Sequence, residues 1–227
     1  MSSSPSVPEK MHRMTDTTSL GRARLDRIAV SAMDNNVYLL TASSGEQLLI
    51  DAADDGDAIL TLLSGAGPLR TVVTTHGHWD HHRALPTVIA ATHARTAAGA
   101  PDAPDLPVRV DDLLAHGDRI SVDSAGEVVL DVIALRGHTA GSIALALTED
   151  ETAPHPGRVH LFTGDSLFPG GVGKTTNPTD FTRLMDDVEE RLFAVYPDDT
   201  VVWPGHGKPT TLGAERPHLT QWRTRGW

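Results

Sequence analysis

Four side chains able to bind a transition metal fall within six positions of this chain: His76, His78, Asp80 and His81, in the run Thr75-His76-Gly77-His78-Trp79-Asp80-His81. The neutral imidazole ring and the carboxylate are ligands of Zn²⁺ and related ions. Three more candidates stand far along the chain: His138 in Gly137-His138-Thr139, Asp165 in Gly164-Asp165-Ser166 and His206 in Gly205-His206-Gly207. A lone histidine is usually a satisfied core or surface residue. His12, His93, His116, His155, His160 and His218 are read that way, and His82 as the start of the following helix. A structural zinc site usually closes on four ligands, often with Cys. Seven candidates and no Cys point instead to an open site for two metals.

The elements that must position these residues are legible as alternating strands and helices. Apolar runs at 28–30, 37–40, 47–50 and 71–74 read as strands of a first half, with a helix over 56–63. The cluster follows the β-branched run Thr71-Val72-Val73-Thr74, so it sits on a loop held by a rigid strand. A second helix is expected from Arg83 to about Ala91, with Pro86 tolerable only in its first turn. Residues 100–105 form a loop rich in chain breakers. The second half holds strand-like runs at 128–135, 143–147, 159–163 and 200–203. Between its last two strands the spacing of Phe181, Leu184, Met185, Val188, Leu192 and Val195 predicts a helix from 181 to about 195, capped by Thr179 or Asp180. Two similar halves of this kind suit an α/β fold of packed sheets flanked by helices.

Composition narrows the partners. A chain of 227 residues and 24.3 kDa supports one domain with a large core. The first twenty residues are polar and read as a flexible tail, with Met11 and Met14 as possible later starts, and 21–227 as the single domain. The formal net charge of −11 argues against a nucleic-acid partner, which needs a basic face. No stretch approaches 18 consecutive apolar residues, so no membrane span is expected. The absence of Cys gives no sign of secretion, which leaves the cytoplasm as the expected location.

The order His-x-His-x-Asp-His, then a distant His, Asp and His, resembles the metallo-β-lactamase superfamily. Leu48-Leu49-Ile50-Asp51 is similar to that family's early strand ending in Asp. Gly137-His138-Thr139-Ala140-Gly141-Ser142 is similar to its Gly-His-Thr-x-Gly-Ser element, and Phe162-Thr163-Gly164-Asp165-Ser166-Leu167-Phe168 to its Thr-Gly-Asp-x-Leu-Phe element. The likeness runs from about Asn36 to about Gly207. It implies an αββα sandwich with the metals at a common end of the sheets. It places His76, His78 and His138 on one metal, Asp80, His81 and His206 on a second, and Asp165 between them. Two divalent ions are implied, zinc first, with iron or manganese as alternatives. The implied chemistry is hydrolysis in which a metal-bridging hydroxide attacks an acyl carbon, with Asp80 and Asp165 as the catalytic carboxylates.

Within the superfamily, Gly171-Val172-Gly173-Lys174 after the bridging Asp is similar to an element of glyoxalase II. That likeness implies a thioester substrate and makes Lys174 the candidate for binding the thiol carrier. Glyoxalase II carries further basic contacts on a C-terminal helical extension, for which Arg216, Arg223 and Arg225 are the substitutes here. A thiolate is stable near neutral pH, so a thioester needs no dedicated general acid. The partner expected is a small-molecule thioester or ester; the oligomeric state stays open. The lack of Cys excludes the β-lactamases that use Cys in the second metal site. Three alternatives stand beside the thioesterase. One is a persulfide dioxygenase with a single iron on His76, His138 and Asp165; the others are a lactonase and a non-catalytic metal-binding module.

Overall fold

Alternation of apolar side chains along the strands assigns each sheet two buried faces, and the helices follow from that. The computed structural model describes residues 15–226. A first sheet is built in chain order from β1 (Asp16–Ser19), β2 (Ala23–Val30), β3 (Asn35–Ala42), β4 (Gln47–Ile50), β5 (Leu69–Thr74), β6 (Arg95–Gly99) and β7 (Asp112–Leu114). Pairing is antiparallel from β1 to β4 and parallel from β4 to β7. Parallel neighbours need crossovers, supplied by α1 (Gly56–Leu63) between β4 and β5, by α2 (Leu85–Thr92) between β5 and β6, and by a loop with a 3₁₀ turn at Ala103–Asp105 between β6 and β7.

The second sheet contains β8 (Arg119–Ser121), β9 (Val129–Ala134), β10 (Ile143–Thr148) and β11 (Val159–Gly164). A two-stranded ribbon of β12 (Leu167–Phe168) and β13 (Gly171–Val172) follows, then α3 (Pro178–Val188). The sheet is completed by β14 (Val201–Pro204), parallel to β11, and β15 (Thr210–Thr211). The chain continues into α4 (Leu212–Glu215) and α5 (Leu219–Arg225).

Three apolar clusters join these parts into four layers. Val37 and Leu39 of β3 face Ile59, Leu85 and Val88 of α1 and α2. Tyr38 and Leu40, their neighbours along the strand, face Val132, Leu145, Phe162 and Trp203 of the second sheet. Ala144, Leu161 and Val202 on that sheet's outer face pack on Leu184, Met185 and Val188 of α3 and on Trp222 of α5. This is the αββα sandwich. Each fully buried leucine in these clusters contributes about 2 kcal/mol.

Both predicted crossover helices form, and Pro86 occupies the first turn of α2. The predicted helix over 181–195 starts earlier and is capped by Asn177, whose side chain accepts from Asp180 N at 3.0 Å, not by Thr179 or Asp180. Its last turn, Glu189–Phe193, widens to π-type bonding, with Ala194 N donating to Glu189 O. That wider turn shifts the stripe, burying Phe193 and leaving Val195 62% exposed.

The tail expected over 1–20 needs a second correction. Residues 1–14 lie outside the described residues, but Asp16–Ser19 form β1. Main-chain pairing to β2 and a bond from Thr17 Oγ1 to Asp26 Oδ1 hold this strand, not apolar burial, so its polar sequence gave no strand signal. Among the described residues no helix is long and apolar enough to cross a membrane.

Candidate metal centre

Strand direction brings the chemistry together. The strands β4, β5, β6, β11 and β14 all end toward one rim of the sandwich, the usual place for a site in sheets of this kind. Thr75-His76 follows β5 directly, Asp165 follows β11, His206 lies two residues past β14, and His138 sits on the turn after β9. A single 3₁₀ turn over Trp79–His81 presents Asp80 and His81 on the side opposite to solvent-facing Trp79.

All seven predicted ligands converge. Ligand atoms of His76, His78 and His138 lie within 4.8 Å of one another, as do those of His76, His81 and Asp165, and those of Asp80, His81 and His206. His206 Nε2 is 3.2 Å from His81 Nε2, 3.3 Å from Asp80 Oδ2 and 3.4 Å from Asp165 Oδ2. Asp165 Oδ1 is 3.3 Å from His81 Nε2, and its Oδ2 is 3.7 Å from His138 Nε2. Asp165 thus stands between the two outer groups.

The ring nitrogens that face away from this centre have partners of their own. His81 Nδ1 meets Asp51 Oδ2 at 2.8 Å, His138 Nδ1 meets the main-chain oxygen of Lys174 at 2.6 Å, and His206 Nδ1 meets that of Met33 at 2.8 Å. Such partners fix which nitrogen points inward. Asn35 Nδ2 donates to Asp80 Oδ2 at 3.0 Å and to its main-chain oxygen at 3.1 Å, holding that carboxylate in place.

The buried atoms at the middle are acceptors in want of a cation. His76 Nε2, His138 Nε2 and Asp165 Oδ1 are buried and make no hydrogen bond. Leaving a buried polar atom unpaired costs about 1–3 kcal/mol, so three at one point mark a place fitted for positive charge. Burial, helped by the neighbouring His81, holds His76 well below the usual histidine range, which leaves a neutral ring with a free lone pair. Burial also lowers His138. For His81, burial opposes the charge but Asp51 and Asp165 outweigh it, and its pKa rises to about 10. For Asp165, burial is outweighed by contact with His206 and His81, and its carboxyl is held far below the ordinary carboxylate range. The residues present therefore fit metal ions, with imidazole and carboxylate donors suited to zinc, iron or manganese.

Glycines let the backbone close over this centre. A Cβ on Gly173 would collide with the main-chain oxygen of Asp165 and crowd His138. One on Gly205 would collide with the Asp165 carboxylate and the His81 ring. At the rim, Met33 and Trp79 are 44% and 55% exposed, and the Arg83 guanidinium lies 4.0 Å over the Trp79 ring.

The basic candidates separate. Lys174 is exposed beside His138, with its main chain already engaged. Arg216 is bound to Asp198 and to the main-chain oxygens of Phe193 and Tyr196, and Arg223 to Glu189 and Asp186, so neither is available to a ligand. Arg225 is exposed, its guanidinium against Gly171 of the ribbon that leads to Lys174. His82 is buried outside the cluster, its Nε2 3.2 Å from Gly77 O. Sequence reasoning gave no role to Asn35, Asp51 or Asp102. Asp51 closed a recognised motif; Asn35 and Asp102 carry no signal without their spatial neighbours.

Comparison with known proteins agrees with this geometry. The family model described as metallo-beta-lactamase superfamily matches residues 31–206. A hydroxyacylglutathione hydrolase from Fuscovulum blasticum is 34% identical over 174 residues, 76% of this chain and 62% of that protein. The chain spans less than two thirds of the length of the first curated relatives it matches, 62% and 66%. Among solved structures, ETHE1 from Myxococcus xanthus aligns with a TM-score of 0.73 at 27% identity, covering 88% of this chain and 84% of that one. The structure titled TTHA1623 in a di-iron-bound form aligns with a TM-score of 0.64 at 27% identity, covering 84% and 96%. The chain belongs to the metallo-β-lactamase superfamily.

Proposed function

We propose that this member of the superfamily is a metal-dependent hydrolase of thioesters, with His76, His78 and His138 holding one divalent cation, Asp80, His81 and His206 a second, and Asp165 reaching both. The observation that carries the reading is that two ligand groups, His76, His78 and His138 on one side and Asp80, His81 and His206 on the other, meet at the Asp165 carboxylate. Two bound cations would polarise an acyl carbonyl and activate water for attack at neutral pH.

The protein's own part is positional. With its carboxylate between the two ligand groups, Asp165 would lessen the repulsion of two cations held there. Asn35 keeps Asp80 from swinging away, and Asp51 keeps His81 turned inward. A thiolate leaving group is stable near neutral pH and needs no dedicated general acid, so a thioester suits a centre of this kind. The exposed Lys174, whose main chain contacts His138, is the candidate to meet an anionic thiol carrier, and the exposed Arg225 beside Gly171 is a second candidate cation. The relatives named hydroxyacylglutathione hydrolase support the thioester class, and the di-iron-bound form of one structural neighbour supports a pair of metals.

A mononuclear iron dioxygenase is less well supported, because it leaves the Asp80, His81 and His206 group without a purpose. Zinc is the first expectation for the native metal. Metal analysis of purified protein, with turnover assayed on thioesters, lactones and persulfides, tests the reading. Two ions per chain and preference for thioesters are expected. One iron with persulfide oxidation would overturn it.

A further inference from the structure

We propose that Asp102 is a positioning residue that holds the loops carrying His76, His78 and His138 at the separation one metal ion requires; the proposal rests on the two-metal reading above. Asp102 lies just past β6, in the breaker-rich loop between Pro101 and Pro104, and is 3% exposed. Its carboxylate accepts from two loops that are remote in sequence. Gly77 N donates to Oδ2 at 2.8 Å, Thr139 Oγ1 to Oδ2 at 2.5 Å, and Gly141 N to Oδ1 at 2.6 Å.

The placement of those donors gives the carboxylate its leverage. Gly77 separates His76 from His78, and Thr139 directly follows His138. Among the described residues, no other side chain accepts from both loops. Close by, the main chain adds a bond from Ile143 N at the start of β10 to Thr75 O at 2.9 Å, and the His76 and His78 rings contact that of His138. Contact is so close that a Cβ on Gly141 would strike Asp102 N and its carboxylate, which accounts for glycine at that position. The turn is itself braced, with Asp102 N bonded to Gly99 O and Asp105 N to Asp102 O. A buried carboxylate accepting three hydrogen bonds is held by charge-assisted contacts, each stronger than a neutral bond.

The other ligand group relies on different supports. Asp80, His81 and His206 are braced by Asn35, Asp51 and the Met33 carbonyl. Loss of the Asp102 carboxylate is therefore expected to loosen one ion and spare the other, which a general loss of packing would not do.

The test is titration of Co²⁺ into metal-stripped, full-length protein against a competing chelator, read by the visible spectrum and by metal analysis. His138→Ala and His206→Ala identify which step belongs to which group. Asp102→Asn is expected to weaken the three-histidine step by about tenfold or more, with the other step within about twofold of wild type. Thr139→Val, which keeps the carboxylate and its two main-chain donors, is expected to show a smaller change in the same step and decides alone if the Asn variant does not fold. Equal weakening of both steps, or a lowered melting temperature with both affinities intact, would overturn the role of Asp102. A wild type that binds fewer than two ions would instead remove the two-metal reading and this proposal together.

Discussion

Asp51 and His81 face each other with both side chains buried, Oδ2 lying 2.8 Å from Nδ1. The same carboxylate accepts from Thr75 N at 2.7 Å and from Thr75 Oγ1 at 2.8 Å. One side chain at the end of β4 thus orients a ring on the next loop and anchors the start of that loop. Partners of this kind are worth about 10- to 100-fold in metal affinity. Asp51→Asn is expected to lower affinity by that order, most strongly at the ion held by His81. Chelator competition on the variant checks it, and unchanged affinity would reduce Asp51 to a packing role.

Asp165→Ala is expected to abolish hydrolysis and to lose at least one bound ion. The reason is geometric: its two oxygens are the only carboxylate atoms near both outer groups among the described residues. Metal analysis decides the matter. Full loading with near-normal turnover would remove Asp165 from the ligand set.

Lys174 offers a clean separation of side chain from main chain. Its carbonyl orients His138, and an alanine there keeps that carbonyl. Lys174→Ala is therefore expected to leave kcat nearly unchanged and to raise KM by about fivefold, the size of one favourable exposed ion pair. Added salt should shrink the difference. Kinetics on one thioester at two ionic strengths test this, and an unchanged KM would return Lys174 to the solvated surface.

Asp187 links pH to the loop that carries His138. Its carboxylate accepts from Arg136 N at 2.9 Å, Nε at 2.8 Å and Nη2 at 2.7 Å, and pairs with Arg191 at 3.2 Å. Burial works against the charge, but the Arg136 contacts outweigh it and hold the carboxyl below its usual range. A carboxyl lowered by folding stabilises the protein above its unfolded pKa, about 3.9, and that contribution is lost as pH falls through the folded value. Asp187→Asn is expected to cost about 2 kcal/mol at neutral pH, with the wild-type and variant melting temperatures converging below about pH 4. A gap independent of pH would show that charge is not the cause.

The seven candidate ligands were legible because each kind of strand end announces itself locally. A β-branched run precedes His76 and an apolar run precedes Asp165, while glycine stands before His138 and on both sides of His206 where the chain turns tightly. The core strands were legible for the same reason, since their side chains alternate or run apolar throughout. Among the missed strands are those whose stability comes from pairing rather than burial: β1, with polar Asp16-Thr17-Thr18-Ser19, and the short edge strands β7 and β8. The helices α4 and α5 were missed as well, because they are too short to show a helical period, although Leu212 and Trp222 are buried. β6 was hidden by its small residues, Arg95-Thr96-Ala97-Ala98-Gly99, which read equally well as helix or loop. The supports of the site were least visible of all. Asp102 reads as one more turn residue until the fold carries it between two loops.

The crowded backbone at Gly173 and Gly205 divides the centre into a part that can vary and a part that cannot. Any side chain at either position would intrude on Asp165, so inheritance or laboratory selection can hardly explore them. Met33 and Trp79 carry no such burden, since their side chains stand exposed at the rim. Diversification of what the protein accepts is channelled to those two positions, while the ion-holding floor stays fixed. A library randomised at 33 and 79 should keep its metal and spread in acyl preference; one randomised at 173 and 205 should yield mainly metal-free protein.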